Sequence, residues 1–134
     1  AGSGITPMLS MIKTVLHREP LSSVSLIYVN RNYSRIIFRA ELATLSEQFS
    51  SRLQVYYILS DDECVPPEFP VFYKGRLSKL VAKKILKNLT TESRLEQEYF
   101  ICGPHSFMQL CEDVIQIVDG GKSVVNKEHF FIPT

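Results

Sequence analysis

The stretch AGSGITPMLS, residues 1–10, decides how the rest of the chain is read. It holds a glycine-rich turn, Gly2-Ser3-Gly4-Ile5-Thr6-Pro7, that runs straight into apolar residues at 5, 8, 9, 12, 15 and 16. That spacing is helical, and Pro20 stops it. Glycines allow a backbone to approach a ligand closely. The helix that follows offers unpaired N–H groups and a positive dipole end, so a phosphate is the natural guest. Pro7 is tolerated in the first turn, where its missing N–H would be unpaired anyway. A third glycine would complete the usual dinucleotide fingerprint, and Pro7 replaces it. Such a turn normally follows a β-strand, so a first strand is expected upstream of Ala1. Taken alone, the motif fits a plain strand–helix turn equally well.

Working outward, helix and strand signals alternate. Residues 24–30 (VSLIYVN) are short, apolar and β-rich, as in a buried parallel strand. Residues 36–49 return to a helical period, and residues 53–60 (LQVYYILS) read as a strand. Residues 61–76 hold three prolines and no clear period, which predicts a long irregular excursion. Residues 78–89 form an amphipathic helix with Ser78 as its cap. Residues 98–103 are a strand. Residues 104–118 are a helix with Pro104 in its first turn and Gly120-Gly121 beyond its end. Residues 123–131 are a last strand with a kink near Asn126. The alternation predicts an α/β fold: a three-layer arrangement, with a parallel sheet covered by helices on both faces and the first strand truncated. No repeat, low-complexity segment or internal boundary is visible, so residues 1–134 read as one domain.

Bulk properties narrow the function classes. The chain has 134 residues, 45% of them hydrophobic, enough for one packed core. Fifteen basic and fourteen acidic residues leave a net charge of +1, which gives no nucleic-acid or membrane-surface signal. No apolar run approaches the roughly 18 residues a membrane span needs. The cysteines, Cys64, Cys102 and Cys111, have no CxxC or Cys/His spacing, so neither a zinc site nor an iron–sulfur cluster is expected within the chain. Their odd number suits a reducing, cytoplasmic setting.

A second turn, Gly103-Pro104, also stands between a strand and a helix. Parallel sheets bind ligands at the carboxyl ends of their strands, and both turns belong to that edge if the strands are parallel. Together GSGITPM, the Asn30-Arg31 pair at the end of the strand read at residues 24–30, the ILS ending at Ser60, FICGPHSFM and KEHFF resemble the pyridine-nucleotide domain of the ferredoxin–NADP reductase family, in the family's order and over nearly the whole chain. The spacing of ILS, GRLS, ICGP and EHF is most similar to reductase components of the phenylacetyl-CoA oxygenase type. The resemblance implies an NAD(P)H-binding domain cut from a larger flavoprotein. A barrel upstream would bind FAD, and a [2Fe–2S] domain, a ferredoxin or an oxygenase would take the electrons. Two sequences that imitate family flavin motifs, RNYS at 31–34 and GRLS at 75–78, lie after the glycine loop among α/β elements, so neither is expected to touch a flavin.

The resemblance also assigns roles. Cys102, Glu128 and Phe130 are expected at the nicotinamide–flavin junction. The cofactor is expected to contact Gly2, Ser3, Gly4, Thr6, Pro7, Asn30, Arg31, Ser60, Asp61, Cys102, Gly103, Pro104 and Met108. Several have plainer readings: a helix-cap hydroxyl for Thr6, core packing for Met108, and a buried small hydrophobe for Cys111. Arg31 could meet a 2′-phosphate, but Asp61 and Asp62 would repel one and an acid can accept a ribose hydroxyl, so NADH is favoured over NADPH. Two other readings stay open: a regulatory protein that senses nucleotides with the same cleft, and an unrelated α/β phosphate-binding protein.

Overall fold

The computed structural model describes residues 4–61, 65–92 and 98–128, which belong to two compact units, Ala1–Arg76 and Leu77–Thr134. The first holds α1 (Ile5–Arg18), β1 (Val24–Asn30), a 3₁₀ turn (Tyr33–Arg35), α2 (Arg39–Gln48), β2 (Leu53–Leu59) and β3 (Val71–Lys74). The second holds α3 (Lys79–Glu92), β4 (Glu98–Cys102), α4 (His105–Asp119) and β5 (Val124–Glu128).

In the first unit the strands pair in the order β1-β2-β3, all parallel. β1 and β2 run in register from Val24 opposite Leu53 to Asn30 opposite Leu59. Side chains alternate across a strand, so positions 24, 26 and 28 share a face with 53, 55, 57 and 59. That face carries the core. Ile5, Leu9, Ile12 and Leu16 form the buried stripe of α1 and cluster with Tyr28, Leu42, Leu45, Leu53, Tyr57 and Leu59. Burying each such side chain contributes about 1.5–3 kcal/mol. On the opposite face of β2, Ile58 is fully buried.

Local polar contacts fix the connections. The Arg52 guanidinium donates to the carbonyls of Ser22 (2.8 Å), Leu16 (3.0 Å) and Glu19 (2.6 Å). One side chain thereby satisfies carbonyls at the C-terminal end of α1 and in the turn after it, where a cation also meets the negative dipole end. The Tyr28 hydroxyl accepts from Ile37 N–H (3.1 Å) and donates to Ile37 C=O (3.2 Å). Next to this clasp Phe38 takes a left-handed conformation (φ 61°) and begins α2. The helix predicted from residue 36 therefore starts at Arg39: the Ile36–Phe38 corner is held by tertiary bonds that periodicity does not register.

The excursion at 61–76 contains a strand that the sequence reading missed. β3 has four residues, too few to show a period, and it joins β2 with a register shift between Tyr57 and Ile58. Phe69 anchors the approach to it, packing on Tyr57 (centroids 4.6 Å) and edge-on to Tyr33 (4.9 Å), while Arg39 lies 3.9 Å over the Tyr33 ring.

In the second unit β4 and β5 pair in parallel from Glu98 opposite Val124 to Cys102 opposite Glu128. The pairing passes through Asn126 with no register shift, so the expected kink is absent; Asn126 donates to Glu98 instead (2.7 Å). Pro104 is the cap of α4 rather than a residue of its first turn, with extended backbone (φ −60°, ψ 155°). Gly120 ends α4 in the left-handed conformation (φ 68°), as the sequence predicts. Ser78 Oγ accepts from Val81 N–H (3.3 Å) and caps α3.

Candidate functional site

Helix α1 doubles back on β1 through a short turn. Fourteen helical residues span about 21 Å, and seven strand residues about 23 Å. The two lengths match, and Ile5 in the first turn of α1 belongs to the same buried cluster as Leu59, the backbone partner of Asn30 at the carboxyl end of β1. Gly4 caps α1 with right-handed backbone and no side-chain hydrogen bond. Thr6 is exposed and Pro7 half-buried in the first turn. Thr6 follows the cap residue by two positions, so its hydroxyl is not the helix cap. The first turn holds no acidic residue. α4 has the same character: no side-chain cap and no acid in its first turn. By contrast α2 has Glu41 there and α3 has the Ser78 cap. The two helices that follow the glycine turns thus keep an electropositive start, and an anion there is stabilised by about 0.3–1 kcal/mol.

Asn30 is the one buried polar residue among those described, 7% exposed, and its Nδ2 has no hydrogen-bond partner among them. A buried donor left unpaired costs about 1–3 kcal/mol. Its backbone carbonyl accepts from Ser60 N–H (3.1 Å), and the Arg31 carbonyl accepts from Asp61 N–H (2.7 Å). The β1–β2 ladder thus continues past both strands and brings Asn30, Arg31, Ser60 and Asp61 together. Arg31 Nε lies 4.0 Å from Asp61 Oδ2, with both side chains more than half exposed. Such a pair contributes little to stability, but it places an acid beside the basic group. Gly75 adds a third edge to this end of the sheet. Its N–H donates to Leu59 C=O (2.7 Å), its φ is +144°, and a Cβ there would come within 2.9 Å of the Tyr73 ring. The GRLS stretch is therefore built into the ladder at Gly75 and the α3 cap at Ser78. RNYS is likewise absorbed locally: Ser34 Oγ donates to Asn32 Oδ1 (2.9 Å), and Tyr33 packs under Arg39.

In the second unit Cys102 ends β4, 2% exposed and outside any disulfide, opposite the backbone of Glu128. Gly103 follows with φ +157°, a conformation that favours glycine. Met108 N–H donates to Pro104 C=O (3.0 Å), and its side chain is buried in α4 (3% exposed). Gly2, Ser3, Asp62, Cys64, Phe130 and the Glu128 side chain lie outside the described residues.

Burial shapes the titrating groups. It pushes Tyr57 up to about 12, helped by the neighbouring Tyr28, and the Cys111 thiol up to about 11. Both stay protonated and unreactive at neutral pH. Among the described residues no group of three or more His, Cys, Asp or Glu could hold a metal ion, and no helix is long and apolar enough to cross a membrane.

Residues 1–113 match the family model of the oxidoreductase NAD-binding domain. Over 133 residues the chain is 35% identical to one of the component chains of 1,2-phenylacetyl-CoA epoxidase of Escherichia coli (strain K12), covering 99% of this chain and 36% of that protein. It is 29% identical over 110 residues to NADH-cytochrome b5 reductase 2-B of Vanderwaltozyma polyspora, covering 81% of this chain and 35% of that protein. Among solved structures, the CS-b5R domains of human Ncb5or in the NAD+ form superpose with a TM-score of 0.75 at 24% identity, over 94% of this chain and 34% of that one. The chain thus spans about a third of the length of the proteins it resembles. This likeness confirms the α/β fold expected from the alternation of helix and strand signals. The chain belongs to the oxidoreductase NAD-binding domain family.

Proposed function

We propose that the chain is the nicotinamide-nucleotide domain of a flavin-dependent reductase that takes NADH in preference to NADPH. The observation that carries this reading is the Nδ2 of Asn30, buried at the carboxyl end of β1 with no hydrogen-bond partner among the described residues. A buried donor without a partner fits an acceptor atom brought by a ligand, and the acid-free start of α1 fits a diphosphate.

When bound, the nicotinamide supplies a hydride and the flavin accepts it. The chain's own residues position and select. Gly2, Ser3, Gly4, Thr6 and Pro7 would hold the diphosphate through backbone N–H groups. Asn30 would donate to a phosphate or ribose oxygen. Asp61 would accept from a ribose hydroxyl and, next to Arg31, oppose a 2′-phosphate. Gly103 and Pro104 would let the nucleotide approach the backbone, with Met108 supporting the turn from within α4. Cys102, Glu128 and Phe130 would face the reacting ring. A soft, polarisable Cys102 side chain suits a group that packs against the ring without forming a bond to it. FAD would be held mainly by a domain outside this chain, and electrons would pass on to an iron–sulfur domain, a ferredoxin or an oxygenase.

The test uses the full-length polypeptide under anaerobic conditions, with NADH or NADPH mixed against it in stopped flow. Rapid bleaching of bound flavin by NADH, slower or weaker with NADPH, is the expected result. Nucleotide binding without flavin bleaching would instead favour a regulatory role. Binding of phosphates with no nicotinamide preference would favour a general phosphate-binding protein.

A further inference from the structure

Between β1 and α2 the chain makes one 3₁₀ turn, Tyr33–Arg35, closed by Arg35 N–H on Asn32 C=O (3.2 Å) and Ile36 N–H on Tyr33 C=O (3.3 Å). Two long bonds hold such a short piece weakly. Side chains from further along the chain hold it as well. Arg39 stacks its guanidinium 3.9 Å from the centre of the Tyr33 ring and donates from Nη1 to Tyr33 C=O (3.3 Å). Phe69 meets the same ring edge-on at 4.9 Å and packs on Tyr57 of β2 at 4.6 Å. Tyr33 and Phe69 both lie against the buried core of their unit.

The place of Arg39 is unfavourable for a cation. It is the first residue of α2, where the helix dipole opposes positive charge, and it is half-buried with no ion pair among the described residues. The ring and the carbonyl hold it there. Flat stacking on an aromatic, with donors left over for a hydrogen bond, is arginine chemistry that lysine does not reproduce. The stack joins two connections. Tyr33 stands on the one that leaves β1, as Arg31 does, and Phe69 on the one that leaves β2, as Asp61 does. Arg31 and Asp61 themselves are linked by one backbone bond (2.7 Å) and an exposed pair at 4.0 Å, and such a pair holds little by itself.

We propose that Arg39 is a positioning residue of the nucleotide site. Stacked on Tyr33 and backed by Phe69, it fixes the connection after β1 against the connection after β2, and so sets where Arg31 and Asp61 stand relative to the ribose. The proposal rests on the nucleotide reading above. A role in the fold alone would make Arg39 matter to stability and leave cofactor choice untouched. A positioning role makes it matter to cofactor choice, because Asp61 opposes a 2′-phosphate only where it is held in place.

The experiment uses the full-length flavoprotein well below its denaturation midpoint. NAD+ is the probe for calorimetry, and NADH and NADPH drive steady-state ferricyanide reduction. Arg39→Ala and Tyr33→Leu should each weaken NAD+ binding and raise KM for NADH about fivefold, with kcat changed less than about twofold, and narrow the NADH-to-NADPH ratio of kcat/KM about threefold. Tyr33→Phe, which keeps the ring, should keep wild-type values. Arg39→Lys should fall between wild type and Arg39→Ala, because an ammonium does not stack flat. Arg39→Ala combined with Tyr33→Leu should be no worse than either alone, as for groups that act as a unit. Where Arg39→Ala does not fold, Arg39→Lys and Tyr33→Leu carry the same measurements. A lowered midpoint with NAD+ affinity, KM and the nucleotide ratio unchanged would overturn the proposal and leave Arg39 to the fold. So would a Tyr33→Phe variant as impaired as Tyr33→Leu. A wild type that binds NAD+ but whose flavin NADH does not bleach would contradict the reductase reading, while calorimetry still decided the role of Arg39. A wild type with no NAD+ affinity would overturn both.

Discussion

The carboxyl ends of β1 and β4 look alike in sequence, each joined to a glycine turn and a helix start, yet they are built for different chemistry. At the end of β1 the groups are polar: the buried Asn30 amide, whose Nδ2 has no partner among the described residues, the backbone bridges to Ser60 and Asp61, and the exposed Arg31–Asp61 pair. At the end of β4 the buried group is the Cys102 thiol, followed by a glycine whose φ of +157° is a backbone conformation that other residues rarely adopt. The glycines differ in their reasons too. Gly4 has ordinary right-handed backbone (φ −62°) that any residue adopts, whereas Gly103 answers a need for conformation. On the proposed reading the first end takes phosphates and a ribose, and the second an uncharged ring.

Cofactor choice is the sharpest way to break this contrast. The β1–β2 end is where charge acts, so Asp61→Arg should shift the NADH-to-NADPH preference by about tenfold to a hundredfold, the worth of one charge-assisted hydrogen bond. The change should appear mainly in KM for NADPH, because the phosphate is remote from the reacting carbon. Steady-state kinetics of the full-length enzyme measure it, and an unchanged ratio would remove Asp61 from the pocket. Gly103→Ala should cost about 1–3 kcal/mol through backbone strain, read as a lowered denaturation midpoint, whereas Gly4→Ala should act on nucleotide affinity more than on the midpoint. Cys102→Ala should slow flavin reduction by up to about tenfold, the scale of a soft contact of about 0.3–1.5 kcal/mol, with FAD content unchanged.

The smallest effect is in the pH profile. Cys111 and Tyr57 have folded-state values raised by burial, so each contributes stability that is complete below its ordinary value and lost as pH rises through the raised one. Cys111 in the second unit loses its contribution between about pH 9 and about 11, and Tyr57 in the first between about pH 10 and about 12. Alkaline titration followed by tyrosine absorbance and thiol alkylation should therefore show Cys111 responding before Tyr57.

How much of this could be read in advance follows from the range of each interaction. Long periodic segments such as α1 and α4 were plain, because the apolar spacing that makes a helix also buries it. β3 was hidden because four residues carry no period and its place depends on β2. The late start of α2 was hidden because it depends on the Tyr28 hydroxyl, nine residues away from Ile37. The Arg52 clamp spans 30 to 36 residues and left no local signal. In the site, the family resemblance picked out Asn30, Arg31, Ser60 and Asp61, and the sheet brings these four together. That Asn30 is buried with a donor that has no partner among the described residues is a property of packing, which residue type alone does not reveal.

The central claim, that the end of β1 is shaped for a nucleotide, is tested most directly by Asn30→Leu in the full-length protein, with NADH affinity and the denaturation midpoint measured side by side. If the amide waits for a ligand acceptor, leucine removes an unpaired buried donor from the free protein and a hydrogen bond from the complex. NADH binding should then weaken about tenfold while the nucleotide-free midpoint stays level or rises. An unchanged NADH affinity together with a lowered midpoint would show that Asn30 serves the fold, and would contradict the account.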